Sequence, residues 1–138
     1  MLNTKVTPKE AEAERRTAAN ALGQSYCMLT TRAGIEVNQE IRNSEYCRFI
    51  SPCAQIHDAQ YFLLKDDIDI FIWLHEKLLH AVEWQEDPAI AHPLVHLGGE
   101  LSLFWPSWAN EISIPNHSSK EETMDIIKQS VEEYRKSH

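Results

Sequence analysis

The chain has 138 residues, of which 43% are hydrophobic and 25% charged, and its formal net charge is −8. This length suits one domain with a sizeable core, so we predict a single globular domain over residues 1–138. No apolar run approaches the roughly 18 residues of a membrane helix, and the N-terminal segment lacks the apolar stretch of a signal peptide. These features predict a cytoplasmic protein that does not bind a membrane.

The charge is distributed unevenly along the chain. Residues 1–33 carry five basic and three acidic side chains, whereas residues 58–111 carry ten acidic and two basic ones. No Lys or Arg occurs between Lys77 and Lys120. Nucleic-acid binding needs basic surface to neutralise phosphates, so direct DNA or RNA binding is not expected. The acidic middle favours a basic protein partner, although moderate negative charge also serves solubility alone.

The first predicted helix has a clear start. Thr7 and Glu10 form a capping-box pattern, and Pro8 suits the first helical position. Apolar side chains then recur at helical spacing, at Ala18, Leu22, Tyr26 and Leu29. We expect this helix to end before Gly34. Its many alanines permit close helix packing, and therefore a homodimer, without requiring one.

The next segment is harder to interpret. Residues 35–50 fit either a strand or a loose helix. Ser51 and Pro52 have the pattern of a helix start, with a Ser cap and Pro at the first position. The predicted buried side of that helix comprises Ile56, Ala59, Tyr61 and Phe62.

A central helix is predicted from the acidic residues at 66–69 to about Trp84. Asp66, Asp67 and Asp69 complement a helix N-terminus. Phe71, Leu74, Leu78 and Val82 follow at helical spacing. Residues 68–74 also alternate as a strand would, but we favour the helix.

The last third of the chain predicts a small antiparallel β element and a final helix. Apolar runs flank Gly98 and Gly99 as in a hairpin, and residues 111–115 could add a third short strand. Ser119 and Glu122 form a second capping box before an amphipathic helix. The predicted fold is therefore α+β and predominantly helical, with three to five helices and the β element near residues 94–114.

Three histidines are candidate metal ligands. His92 and His96 are four residues apart, and with His80 they supply three imidazoles, enough for a catalytic zinc with an open position. Glu76 or Glu83 would then be the general base that activates the bound water. The same spacings occur on any solvated helix face. We expect no cofactor, and a divalent metal such as zinc is the alternative.

The aromatic residues around Pro106 are candidate binding residues. Trp105 and Trp108 flank this proline, which interrupts any regular element, so both indoles are hard to bury. Exposed Trp residues are common anchors of protein interfaces. We therefore predict an interface formed by Trp105, Trp108 and Phe104. The alternative is that both rings cover the small sheet as its core.

These features favour a small acidic binding or regulatory protein that acts through protein–protein contact, such as an inhibitor, an immunity protein or an accessory factor. The sequence holds no complete catalytic pattern, which favours binding over enzymatic activity. The first alternative is a metal-dependent hydrolase that uses the His/Glu cluster. The second is a small-ligand binder with an aromatic pocket beside Trp105.

Overall fold

A computed structural model describes residues 7–88 and 90–137, which form three α-helices, one short 3-10 helix and two β-hairpins. The elements are α1 (Pro8–Asn43), a 3-10 helix (Glu45–Arg48), β1 (Ile50–Ile56), β2 (Ala59–Leu64), α2 (Ile68–Val82), β3 (Leu101–Phe104), β4 (Glu111–Ile114) and α3 (Lys120–Ser137). The predominantly helical α+β prediction is confirmed, as is an antiparallel β element near residues 94–114. Within the described residues, no helix is long and apolar enough to cross a membrane.

Helix α1 begins as predicted but runs further. The Thr7 hydroxyl accepts a hydrogen bond from the Glu10 backbone N–H, and the Glu10 carboxylate accepts one from the Thr7 N–H at 2.8 Å. The predicted end before Gly34 is wrong, since the helix continues to Asn43. A mid-helix glycine costs only about 1 kcal/mol, and burial of Val37 and Ile41 beyond it outweighs that cost.

Residues 50–64 form an antiparallel hairpin, so the helix predicted from Ser51 and Pro52 is wrong. Ile50 pairs with Leu64 and Pro52 with Phe62, with a bulge between Pro52 and Ala54. Pro52 is tolerated because β1 has one strand neighbour in a two-stranded sheet, which leaves its outer edge free. Its Ser-Pro pattern is a local helix signal that the strand pairing overrides.

Helix α2 forms as favoured. Asp67 is its N-cap and accepts a hydrogen bond from the Asp69 N–H at 3.0 Å. Ile70, Leu74 and Ala81 are buried in one core cluster with the C-terminal half of α1. Residues 68–74 therefore alternate because the apolar face of α2 is wide, and they do not form a strand.

Arg32 fixes the two helices to each other at the end of α2. Its guanidinium donates to the Ala81 carbonyl, which is one of the last carbonyls of α2. It also pairs with Glu36 at 2.7 Å and lies 4.0 Å from the centre of the Trp84 ring. One side chain thereby satisfies a helix terminus and covers an indole.

The second hairpin turns at a different place from the predicted one. β3 pairs with β4, with Leu101 opposite Ile114 and Phe104 opposite Glu111, so residues 105–110 form the connection. The predicted turn at Gly98 and Gly99 is wrong, because both glycines precede β3. The actual turn is closed by a hydrogen bond from the Trp105 N–H to the Asn110 carbonyl at 3.1 Å.

Helix α3 closes a second core cluster over this hairpin. Its predicted capping box is confirmed, since the Glu122 N–H donates to the Ser119 hydroxyl and the Ser119 N–H donates to Glu122. Buried Ile112 and Ile114 of β4 meet Phe71 of α2 in this cluster. Leu64 contacts both clusters and joins them at the end of β2.

Removing side-chain volume at Val37 should destabilise the protein more than the same kind of change at Ile35. Val37 is 0% exposed in the core cluster, whereas Ile35 is 57% exposed on the same helix. We expect Val37→Ala to lower the free energy of unfolding by about 2 kcal/mol. Ile35→Ala should change it by less than about 0.5 kcal/mol. Urea unfolding measures both, and equal effects would contradict this assignment of the helix face.

Candidate functional site

The two faces of the β1–β2 hairpin differ in what they contact. The Gln60 side chain donates to the Thr30 carbonyl of α1 at 2.6 Å, and Phe62 packs against the core. Side chains alternate along a strand, so Tyr61 and Leu63 lie on the opposite face. That outer face is mostly apolar, and Leu63 is 67% exposed.

Two rings of the second hairpin continue this surface. The Trp108 ring stacks on Tyr61 with a centroid distance of 4.8 Å and on Phe104 with a centroid distance of 5.4 Å. Trp108 is 63% exposed despite both contacts. The combined surface is called the aromatic face, and it comprises Phe49, Ile56, Tyr61, Leu63, Phe104 and Trp108.

Much of the aromatic face is exposed. Phe49, Ile56, Leu63 and Trp108 are each more than two-fifths exposed. They are distributed along one face of the first hairpin and on the Trp108 ring stacked against it, and exposed apolar surface is often functional. The patch joins two hairpins that share no strand pairing.

Trp105 has a different environment from Trp108. Its ring meets Tyr134 of α3 edge-on at 6.0 Å and packs against the second core cluster. The predicted interface trio is therefore divided in space. Phe104 and Trp108 lie on the aromatic face, and Trp105 packs toward the second core cluster.

Charged groups lie at the borders of the aromatic face. Glu111 is the cross-strand partner of Phe104 and accepts a hydrogen bond from Ser102 at 2.6 Å. Asp58 lies in the β1–β2 turn beside Ile56. At the other end, the Lys65 ammonium lies 4.9 Å from the centre of the Phe49 ring.

The three predicted metal ligands have separate contacts. His80 faces Glu36 at 3.4 Å. The Nδ1 atom of His92 accepts hydrogen bonds from two backbone N–H groups of its own loop, at 3.0 and 3.1 Å. The Nδ1 atom of His96 lies 2.8 Å from the Gln85 amide nitrogen. These contacts occupy one nitrogen of each ring with a partner outside the predicted trio.

The predicted general bases flank His80 along α2, and among the described residues the structure gives neither of them a contact with His80, His92 or His96. Glu83 lies 3.2 Å from His117, and Glu76 is exposed on α2. Over residues 7–88 and 90–137, no group of three or more His, Cys, Asp or Glu side chains is arranged to hold a metal ion. The described residues thus do not bring His80, His92 and His96 together around one ion.

An open groove of about 570 Å³ lies between the β3–β4 turn and α3. It is lined by Ser107, Ala109, Asn110, Glu111, Ser130, Glu133, Tyr134 and Ser137. Most of these side chains are small or polar, and Tyr134 supplies the aromatic surface. Because Trp105 is not among the lining residues, the groove differs from the aromatic pocket predicted beside it.

His75 is a buried titratable group outside the predicted binding and metal sites. It is 4% exposed on α2, and its Nε2 atom has no hydrogen-bond partner among the described residues. Burial lowers its pKa below the ordinary value of 6.5, and His117 acts in the same direction. Asn116 and Glu76 oppose this shift without cancelling it. Folding therefore favours the neutral ring over the charged one.

Four residues of the aromatic face, Phe49, Ile56, Tyr61 and Leu63, lie outside the predicted interface trio. Ile56 and Tyr61 were assigned to the buried side of a helix, and Leu63 was not selected. The signal that could have revealed them is the alternation of residues 59–64, which puts Gln60 and Phe62 on one face and Tyr61 and Leu63 on the other. The contact between Tyr61 and Trp108 spans 47 positions of the chain and has no local signal.

Acidification should destabilise the protein partly through His75. The pKa of His75 is lowered in the folded state, so as the pH falls through 6.5 the unfolded chain binds a proton more readily than the folded chain does. Stability is then fully present above the ordinary pKa and falls as the pH drops through it. We expect His75→Leu to reduce the loss of stability between about pH 7.5 and pH 5.5, in urea unfolding curves.

His80→Leu is the matched control for this measurement. His80 is on the same helix with its side chain 80% exposed, so this variant makes the same imidazole-to-leucine change at an exposed position. A pH dependence that is the same in wild type, His75→Leu and His80→Leu would contradict the role assigned to His75.

Comparison with known proteins yields no match: no protein-family model, no curated protein and no solved structure matches this chain.

Proposed function

We propose that this protein is a small acidic binding protein that acts by protein–protein contact through the aromatic face. The observation that carries the proposal is the exposed Trp108 ring, stacked on Tyr61 and Phe104. This role fits a cytoplasmic regulatory protein, such as an inhibitor, an immunity protein or an accessory factor.

The geometry of the aromatic face suits an interface anchor. Trp and Tyr are enriched among the residues that dominate binding energy, because a rigid ring buries much area at low entropic cost. The Trp108 ring already has two stacking neighbours, so little side-chain freedom remains to be lost on binding. The exposed Leu63 and Ile56 extend the apolar contact along β1 and β2.

The charge around this surface favours a basic partner. Glu111 and Asp58 lie at the border of the aromatic face, and residues 58–111 carry eight more acidic than basic side chains. A partner that complements this surface offers an apolar pocket for Trp108 with Lys or Arg at its rim. Opposite charges at a rim mainly raise the association rate and the specificity. Nucleic acid is disfavoured because the acidic border would repel phosphates.

We also propose a homodimer, held by a surface other than the aromatic face, so that the aromatic face stays available to the partner. Within the described residues, no cluster of side chains supports a metal-dependent hydrolase or a small-ligand binder. We therefore rank both below protein binding.

Leu63→Asp should abolish capture of the partner, and Trp108→Ala should weaken it about 30-fold, which is the loss expected at an interface anchor. The aspartate puts an unpaired charge into the apolar contact. The measurement is affinity capture from lysate of the source cells, followed by titration of the purified partner against each variant.

Leu94→Asp is the matched control for Leu63→Asp. Leu94 is 85% exposed in the loop before β3 and is not part of the aromatic face. The two substitutions make the same chemical change at an exposed leucine, so both variants should stay folded. A partner retained by Leu94→Asp and lost by Leu63→Asp supports the proposal. Equal binding of wild type, Leu63→Asp and Trp108→Ala would refute it.

Ionic strength provides a second test once the partner is purified. For a basic partner, raising the salt concentration should slow association while the dissociation rate changes little. Stopped-flow mixing or biosensor kinetics measures both rates. An association rate independent of salt would rule out the basic rim while leaving the apolar anchor in place.

A further inference from the structure

The first half of α1 has an unusual surface. Residues 17–31 contain no Asp, Glu, Lys, Arg or His, although residues 12–28 are all exposed. A quarter of the whole chain is charged, so fifteen consecutive uncharged residues on an exposed helix are unexpected. The hydroxyls of Thr17, Ser25 and Thr31 bond back to carbonyls of the same helix, which reduces their need for water. This stretch is called the uncharged segment.

The apolar side chains of the uncharged segment continue the core stripe of α1. Leu22, Tyr26 and Leu29 lie at intervals of four and three residues, and the next step along the same face is Ala33. From Ala33 onward this face is buried in the core. Before it, Leu22 is 61% exposed and Tyr26 is 59% exposed. This face of α1 is therefore packed against the core over its C-terminal half and exposed over its N-terminal half.

A helix in this position lacks the support that stabilises most protein helices. The uncharged segment extends over about 22 Å, and the hydrogen bonds that join it to the first hairpin lie at its end, at Thr30 and Thr31. Isolated helices of this length are marginal in water, because most helical stability in proteins comes from packing an apolar face. Gly23 in its middle lowers the intrinsic propensity further, by about 1 kcal/mol.

We propose that a second copy of this chain covers the uncharged segment, as an antiparallel pair of α1 helices in a homodimer. A second copy offers an equally uncharged helix face, so no charge of the segment is buried in the contact. Around a two-fold axis near the middle of the segment, Leu22 of one protomer meets Tyr26 of its partner. Ala18 and Ala19 then lie opposite Leu29, so small side chains face large ones.

The antiparallel direction follows from the position of α2. Beyond Ala33, α2 covers the same face of α1 that carries the dimer contact. In a parallel pair, both copies of α2 would lie at the same end of the interface and collide. In an antiparallel pair they lie at opposite ends, and the two helices cross at an angle, so that residues 8–15 of each copy diverge from the partner's α2. A parallel pair would also put Arg15 and Arg16 of each copy side by side, which is unfavourable.

The available area predicts a dimer of moderate affinity. The exposed stripe and its borders offer roughly 500 Å² per protomer, which places the pair at the lower limit of specific interfaces, about 1,000 Å² in total. The dimer should therefore dissociate at micromolar concentrations. This inference rests on the homodimer proposed above and uses no residue of the aromatic face.

Sedimentation equilibrium of the full chain tests the dimer. Between about 1 and 200 µM, the mass of the wild type should rise from the 15.9 kDa of one chain toward twice that value. The double variant Leu22→Glu and Tyr26→Glu should remain at the mass of one chain. Glutamate has a high helix propensity, so the change removes the apolar contact without breaking the helix.

The matched control is the double variant Asn20→Glu and Gln24→Glu. It places the same two charges four residues apart in the same segment, but on the opposite side of the helix. It should dimerise as the wild type does, and Leu63→Asp should do so as well, which separates this test from that of the aromatic face. A wild type that stays at the mass of one chain would overturn the proposal. Equal loss in both glutamate pairs would also overturn it, and circular dichroism checks that both keep their helix content.

Spin labels test the direction of the pair. With the three native cysteines replaced by serine, a label is placed at residue 17 or at residue 24, which share the outer side of the helix. In an antiparallel pair the distance between labels is longer at residue 17 than at residue 24. Equal distances at both positions would indicate a parallel pair and refute the arrangement.

Discussion

The packing of α1 on α2 is the contact on which the other parts of the structure depend. Small side chains at Ala33 and Ala81 are buried in this contact, together with Val37 and Leu74. Arg32 fixes the relative position of the helices by binding the last turn of α2 and covering Trp84. Because α1 is one continuous helix, this contact also sets the direction in which its first half leaves the core. The first hairpin packs on the same pair of helices through Phe62 and Leu64.

The core is divided, and this division explains why much apolar surface remains exposed. One cluster lies between α1, α2 and the first hairpin, and the other lies between α2, α3 and the second hairpin. Each hairpin has only two strands, so one face packs on helices while the other has no sheet or helix to cover it. On the first hairpin the uncovered face holds Tyr61 and Leu63 instead of polar residues. Apolar side chains at such positions serve a contact more readily than they serve folding.

Local chemistry in the sequence predicted the starts of elements better than their ends. Both capping boxes lie where the sequence places them, because this motif depends on residues three positions apart, and the acidic residues predicted to complement the start of α2 include its N-cap, Asp67. The end of α1 depends on partners distant in sequence, so Gly34 alone could not mark it. Ser51 and Pro52 show the reverse case, in which a local helix signal yields to pairing with residues 62 and 63. Trp108 could be selected from the sequence, but its stacking partner Tyr61 could not, because that contact joins two hairpins.

Helix α1 also determines how the molecule moves in solution. Its 36 residues extend for about 54 Å. This exceeds the diameter of a compact chain of the same length, for which a radius of gyration of about 14 Å is expected. The protein therefore experiences more friction than a sphere of its mass, and it tumbles anisotropically about the long axis of α1. Elution from a gel-filtration column would overstate its mass even for a single chain. Diffusion coefficients and rotational correlation times therefore depend on the length of α1 as well as on the number of chains.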